Sequence, residues 1–306
     1  MSSQEVSLRR RRFALRFGGS TAEKKRSAPF RAPRPLSALS LCGKAGLAAL
    51  LFILATGGCS FLFMGDAHRV PSGESLESPS LRHILGTDDL GIDIAAQLCR
   101  GALVSVLFGL GAAVLAGVGG SALGMLAGYA GGCSDRLISG LCDVLTAIPQ
   151  LPLMIVLGAF LGPSVRNIVF VVALLSWVGP ARIARAKTLS MRREKFIVAA
   201  ACYGASFSHI AAKHLAPALA PLVAASVLRI IGHAVVAEAG LTFLGLGDPT
   251  SKSWGMILNR SMSFGGIYFT DFWKWWVLPP LVVLTMLVVS TAFIARDLEK
   301  FVNRKL

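Results

Sequence analysis

Six apolar runs constrain this chain more than any other feature of its sequence. A helix needs about 20 mainly apolar residues to cross the hydrocarbon core of a bilayer, and the runs are 16 to 29 residues long. We therefore predict an all-α integral membrane protein with about six transmembrane helices. The runs occupy residues 45–64, 101–129, 137–161, 165–180, 218–243 and 275–295.

The composition supports this prediction, and the placement of the charges orients the helices. The chain of 306 residues is 54% hydrophobic and only 15% charged, which excludes an ordinary soluble domain. Eleven Lys and Arg precede residue 45, seven lie in 181–216 and about four end the chain, but 65–100 and 245–274 hold three each, mixed with acids. Because cytoplasmic loops of membrane proteins are enriched in Lys and Arg, both termini are predicted to be cytoplasmic. The net charge of +15 then indicates topology and contact with anionic lipid, and we predict no nucleic-acid partner.

These patterns divide the chain into five segments. Residues 1–44 are basic and rich in Ser, Ala and Pro, which predicts a disordered cytoplasmic tail. The first transmembrane helix is predicted at 45–64, an extracytoplasmic segment at 65–100 and a cytoplasmic tail at 297–306. A transmembrane domain is predicted at 101–296, with a cytoplasmic loop at 181–216.

The loop contains a stretch, 192–217, with the pattern of a short helix, a turn and a second helix. Five residues recur at steps of three and four, as on one helix face: Phe196, Ala200, Tyr203, Phe207 and Ile210. Gly204 interrupts the pattern, and Ser206 can cap a new helix. Such a compact unit suits the groove of a partner protein. The alternative is an amphipathic helix on the lipid surface, with Gly204 a tolerated helical glycine.

Four short elements flank the apolar runs in a fixed order. LGTDDLGID precedes the second run, DVLTAIP lies inside the third, WVGPAR ends the fourth, and AEAGLTFLGLG followed by SWG ends the fifth. In this order they resemble the GTDxxGRD, DVLxAxP, WxGxAR and AExxLSFLGLG elements of permease subunits in bacterial dipeptide, oligopeptide and nickel ABC importers. The resemblance covers residues 85–306, with Ile92 in place of an Arg.

The stretch 192–217 also resembles the coupling loop, or EAA loop, of the same family, which docks on the ATPase subunit. Ala199, Ala200 and Gly204 match the family pattern, but Val198 stands where the family has Glu. Glu194, one turn earlier, is the candidate to supply that charge. The residues assigned to ATPase coupling are Glu194, Phe196, Val198, Ala199, Ala200, Tyr203, Gly204 and Phe207.

The resemblance implies the type I ABC importer permease fold and a set of partners. These are a second homologous permease subunit, two ATP-binding subunits and an extracytoplasmic solute-binding protein. This chain has no GxxxxGK[ST] phosphate loop, so we predict that it is not an enzyme and binds no cofactor. ATP and Mg²⁺ are then expected in the partner ATPases, and the chain itself in the bacterial inner membrane.

Four charged or titratable residues within the apolar runs need a polar neighbour. Arg229 and His233 lie one turn apart on the fifth run, and either face the solute pathway or bond to another subunit. Asp143 is predicted to form a structural ion pair with a basic residue of the loop. Glu238 is expected to stabilise a helix end, with solute contact as the alternative.

The solute is not determined by these residues. Peptides and a nickel complex are both consistent with the resemblance, and the five His residues are too scattered to predict a metal site. The alternatives are an ABC permease for another small solute and a membrane scaffold that only recruits an ATPase through the coupling loop.

Overall fold

The structure is a computed structural model that describes residues 40–63 and 65–303. The described residues form helices and connecting segments with no β-strand. Residues 1–39 of the predicted tail lie outside the described part. The α-helices are α1 (Leu41–Phe63), α2 (Ile94–Ala130), α3 (Gly132–Ala147), α4 (Gln150–Leu161), α5 (Val165–Ser176), α6 (Val178–Met191), α7 (Lys195–Cys202), α8 (Phe207–Ile210), α9 (Ala216–Phe243), α10 (Trp254–Ser263), α11 (Trp273–Trp276) and α12 (Leu278–Asn303). A π-helix, Ala211–Leu215, joins α8 to α9.

Five of the described spans are long and apolar enough to cross a membrane by themselves, and α3 with α4 forms a sixth that is bent by 95°. The bend lies at Ile148 and Pro149, which have extended backbone between the two helices. Proline lacks the N–H that a continuous helix needs, and it disfavours helical backbone in the residue before it. The count of about six spans is thereby confirmed, with the third run as a broken helix.

Helix α2 is the centre of the bundle and packs against α1, α5, α6 and α9. At 37 residues it is about 55 Å long, longer than the hydrocarbon core. Its glycines allow close contact with α6, because a Cβ at Gly120 or Gly124 would lie 2.3 or 2.1 Å from a carbonyl oxygen of Trp177 or Ala181. Small residues at such contacts let backbones approach and gain van der Waals contact, which drives helix association in lipid.

The first residues of α2 are held by the segment 65–93 and by α10, which together define what we call the α10 end of the bundle. Trp254 of α10 is fully buried, and its indole Nε1 donates to the Leu98 carbonyl at 3.0 Å. Asp93 caps α2 by accepting from the Ala96 amide at 3.0 Å. Asp88 is also fully buried and accepts from the Ile92 amide and from Gln97 Nε2, at 2.9 and 2.8 Å.

This geometry gives the LGTDDLGID element a structural role. Gly86 and Gly91 have φ of +70° and +73°, which glycine adopts without strain. Thr87 Oγ1 donates to the Glu74 carbonyl at 2.6 Å, which connects the element to the loop that precedes it. Ile92, which replaces the family Arg, is 2% exposed and packs inside the protein.

The ends of the helices differ from several predicted boundaries. Residues 41–44 belong to α1, and 297–303 belong to α12, although both were assigned to tails. The reason is a polar contact outside the apolar runs: the Ser40 amide donates to Asp297 at 2.9 Å, which joins the start of α1 to the end of α12. Residues 94–100 begin α2, and 181–191 lie in α6. The length of an apolar run is set by the thickness of the hydrocarbon core, and a helix can continue beyond that core.

Candidate functional site

The first candidate site is the unit formed by α7, the turn 203–206 and α8, which we call the knob. It lies at the opposite end of α2 from α10, since Phe207 of α8 packs on Tyr129 with ring centroids 5.0 Å apart. Its base is a buried apolar cluster in which Ile197 and Ile210 are 2% and 0% exposed. Leu215 and Met191 join the same cluster, so the knob is anchored to α6 and to the start of α9.

The turn after α7 has the hydrogen bonds of a Schellman motif. The Gly204 amide donates to the Ala201 carbonyl and the Ala205 amide to the Ala200 carbonyl, both at 3.0 Å. Gly204 has φ of +81°, the left-handed conformation that this motif requires. Ser206 then caps α8 through its side chain, which accepts from the His209 amide at 3.4 Å. Gly204 thus ends one helix, and Ser206 starts the next.

The outer surface of the knob is apolar and largely uncovered. Tyr203 is 92% exposed, Phe196 is 50% exposed and Val198 is 49% exposed. A depression of about 390 Å³ lies beside them, lined in part by Val198, Tyr129 and Arg192. Exposed aromatic and apolar groups around a concavity are typical of a protein-binding surface.

The structure changes the predicted membership of this surface. Ala199 is exposed, but Ala200 is half-buried against the cluster below, and Ile210 is fully buried. One continuous helix face is therefore the wrong description, because the turn at Gly204 rotates α8 relative to α7. Glu194 is the N-cap residue of α7 and is exposed, with no capping bond from its side chain.

Helix α6 connects the knob to the bent helix pair through two ion pairs. Arg182 donates to Asp143 at 2.8 Å and to Thr146 at 3.1 Å. Arg185 holds both carboxylate oxygens of Asp135, with Nη2 at 2.8 Å from Oδ2. The partner of Asp143 is thus Arg182, a basic residue of 181–216, as predicted. The Arg185 pair was missed, since 50 residues separate its partners.

The second candidate site is a cavity of about 590 Å³ in the membrane-spanning part of the bundle. Arg229 and His233 of α9 both line it, so the structure brings these two predicted residues together. Arg229 is ion-paired with Glu299 of α12. No sequence signal indicated Glu299, which is 70 residues away and was assigned to the tail.

Glu238 does not line this cavity and lies instead between α9 and α10. It is 5% exposed and accepts from Thr242 Oγ1 at 3.0 Å and Ser253 Oγ at 2.6 Å. Ser253 also caps α10 by accepting from the Met256 amide at 3.3 Å. The AEAGLTFLGLG and SWG elements therefore meet in one buried network that attaches α10 to α9.

Comparison with known proteins identifies the relatives of this chain. Residues 120–305 match the family described as binding-protein-dependent transport system inner membrane component. The glutathione transport system permease protein GsiD of Pectobacterium atrosepticum is 35% identical over 221 residues, 72% of this chain and 73% of that protein. The dipeptide transport system permease protein DppC of Alkalihalophilus pseudofirmus is 36% identical over 191 residues, 62% of each chain. The chain belongs to the inner-membrane permease components of binding-protein-dependent transport systems.

Proposed function

We propose that this chain is one permease subunit of an ATP-driven importer of short peptides. The relatives are named for glutathione and dipeptide transport, and both of these solutes are short peptides. The observation that carries the proposal is the knob, whose apolar outer surface is exposed on a well-anchored base. A soluble partner that covers this surface can drive the membrane helices.

The partners follow from what the chain lacks and from its family. Its sequence has no GxxxxGK[ST] loop to hold a nucleotide, which supports an energy supply from other subunits. We assign ATP and Mg²⁺ to two partner ATPases and half of the pathway to a second homologous permease subunit. An extracytoplasmic binding protein then delivers the solute to the α10 end.

The geometry supports a mechanical connection from the knob to the cavity. Met191 ends α6 and packs in the same cluster as Ile197 of α7, so movement of the knob displaces α6. The pairs Arg182–Asp143 and Arg185–Asp135 transfer that displacement to α3, whose last turn lines the cavity. ATP shifts the conformational equilibrium only if the closed ATPases bind one position of the knob more tightly than the other.

A matched pair of tyrosine substitutions tests the function. Tyr203→Ser removes the most exposed ring of the knob and is expected to lower the amount of ATPase subunit that co-purifies at least several-fold, as for an interface hot spot. Tyr268→Ser is the control, because Tyr268 is also exposed, at 67%, but lies outside the knob, in the segment before α11. Quantitative blotting of the detergent-purified complex measures the ratio of ATPase to permease.

The same complex in liposomes is expected to hydrolyse ATP faster when binding protein and a short peptide are added. Tyr203→Ser should lose this stimulation, and Tyr268→Ser should keep it. Equal ATPase recovery with both variants would refute the role of the knob. A wild-type complex that no short peptide stimulates would refute the peptide importer.

We further propose that the knob and both termini face the cytoplasm, and that the α10 end faces outside. The Lys and Arg counts on the two sides support this orientation. In a chain without its native cysteines, we expect a membrane-impermeant maleimide to label Ser78→Cys but not Ser190→Cys in intact cells. Both positions are exposed, so burial cannot produce the difference. After permeabilisation both should react, and labelling of Ser190→Cys beforehand would contradict the orientation.

A further inference from the structure

The cavity of about 590 Å³ lies where three membrane-spanning elements lose regularity or carry polar groups. Its walls are the bend between α3 and α4, the junction of α5 with α6 at 176–180, and residues 226–233 of α9. Irregular backbone at membrane depth is tolerated where it is packed in protein or lines a water-filled cavity. The volume is within the range of about 300–1,000 Å³ typical of small-molecule sites.

The charged side chains that line this cavity within the described part of the chain are both cations, Arg182 and Arg229. Their carboxylate partners, Asp143 and Glu299, do not line it. Each ion pair therefore borders the cavity through its cationic residue and not through its acidic one. An anion in the cavity meets the positive member of each pair first.

Arg229 has hydrogen-bonding capacity left for such an anion. A guanidinium has five N–H donors, and the contact with Glu299 uses one terminal nitrogen of Arg229. The Arg229 side chain is 59% exposed and lines the cavity, so an anion there can contact it. Because a planar guanidinium can hold a carboxylate through two parallel bonds, Arg229 can bind a second carboxylate while keeping the first.

Two other features favour a carboxylate at this place. Helix α4 begins at the cavity wall, where Pro149 and Gln150 line it, and the start of a helix carries partial positive charge. His233 lies one turn from Arg229 on the same wall. It makes no hydrogen bond with any residue that the structure describes, so it can bond to a ligand.

We propose that this cavity is a peptide subsite in which Arg229 binds the C-terminal carboxylate. This inference rests on the proposed function and names the chemical group that the pathway recognises. Gln150 and Ser226 offer hydrogen bonds to peptide amides, and the remaining wall is mainly Leu, Ile, Val and Pro. Such a wall accepts side chains of different shape, so the terminal carboxylate carries the recognition.

Protection of a cysteine in the cavity tests the subsite without a contribution from the binding protein. Ile183→Cys, at an exposed lining position that takes no part in the proposed contacts, is introduced into a chain whose six native cysteines are replaced by Ala, and the complex with its permease and ATPase partners is purified. Trialanine is expected to slow maleimide labelling of this cysteine at a concentration about tenfold below that needed with trialanine amide. Loss of one charge-assisted contact produces a ratio of about this size.

Two variants assign the preference to Arg229 itself. Arg229→Gln is expected to abolish the tenfold difference between the two peptides, and Glu299→Gln is expected to keep it. The single Arg229 variant could fail to assemble because it leaves Glu299 unpaired, so the double variant Arg229→Gln/Glu299→Gln removes both charges. In the double variant, both peptides should protect the cysteine equally. Assembly is checked by subunit stoichiometry for every variant.

The outcomes separate this inference from the proposed function. Equal protection by the acid and the amide in the otherwise unchanged cavity, or a preference that survives loss of Arg229, would overturn the subsite. Absence of protection by either peptide would do the same, even if peptide uptake is normal. A complex that transports no peptide would instead overturn the proposed function.

Discussion

Replacing Gly204 with Val is expected to abolish uptake by the importer while leaving the chain inserted and paired with its partner permease. Gly204 has φ of +81°, and a β-branched residue is strongly disfavoured there. A Cβ at this position would contact nothing within 4 Å, so the cost is conformational and not a clash. At about 1–3 kcal/mol, this strain is enough to open the Schellman turn.

Opening the turn changes the direction of α8 relative to α7. Tyr203 and Phe207 lie on the two sides of Gly204, so their rings leave the arrangement that we propose for the ATPase contact. We expect the spanning helices to assemble all the same, because most of their packing lies along α2, away from this turn. Uptake, ATP hydrolysis and subunit stoichiometry, measured on one preparation, distinguish lost coupling from lost assembly.

Gly204→Asn is the matched control, since Asn also adds a side chain but adopts positive φ far more readily than Val. We expect it to keep most of the uptake. If Glu194 supplies the charge missing at Val198, Glu194→Ala should reduce uptake less than Gly204→Val does. Full uptake with Gly204→Val, at normal expression, would contradict the assignment of 192–217 as the coupling element.

The turn was predictable from the sequence because its determinants are local. A glycine that interrupts an apolar periodicity, followed two residues later by a Ser, specifies a helix end and a new helix start without help from distant residues. The bend at Ile148 and Pro149 also has a local cause, because proline restricts its own backbone and that of the residue before it. The apolar runs were equally informative, since the membrane fixes the length of helix that must be apolar.

The contacts that give the charged residues their roles were not predictable in the same way. Arg229 meets Glu299, and Arg185 meets Asp135, only because distant helices pack side by side. A hydropathy pattern fixes the length of a span but not its neighbours or its rotation. The helical structure of residues 41–44 and 297–303 was not predicted for the related reason that Ser40 and Asp297 stabilise helix ends outside the apolar runs.

The surface of the knob shows where a periodicity argument stops. Phe196, Ala200 and Ile210 fit one helical repeat, yet Ile210 is fully buried and Phe196 is half exposed. The repeat records every apolar residue of the unit, including those that attach it to α6 and α9. Which of them remain for a partner depends on the rotation introduced at Gly204.

Gly124→Ala is expected to destabilise the whole bundle, the second large effect. The added Cβ would lie 2.1 Å from the Ala181 carbonyl oxygen and 2.9 Å from the Ala181 Cα, all of it backbone that cannot turn aside. Helices α2 and α6 must then separate along their contact. Overpacking of this kind costs about 1–3 kcal/mol, and more where the backbone itself must move.

Gly119→Ala is the control in the same helix, because Gly119 is exposed and a Cβ there meets nothing within 4 Å. Replacing a helical glycine by Ala favours the helix by about 1 kcal/mol in water, so this variant should be neutral or slightly stabilised. Thermal unfolding of the detergent-purified chain, followed by its Trp fluorescence, compares the two. Since α6 carries both Arg182 and Arg185, Gly124→Ala should also weaken ATP-driven uptake in the fraction that still assembles. Equal melting temperatures for the two variants would show that α2 and α6 do not depend on backbone contact at Gly124, and the close approach of these helices would have to be abandoned as the basis of the fold.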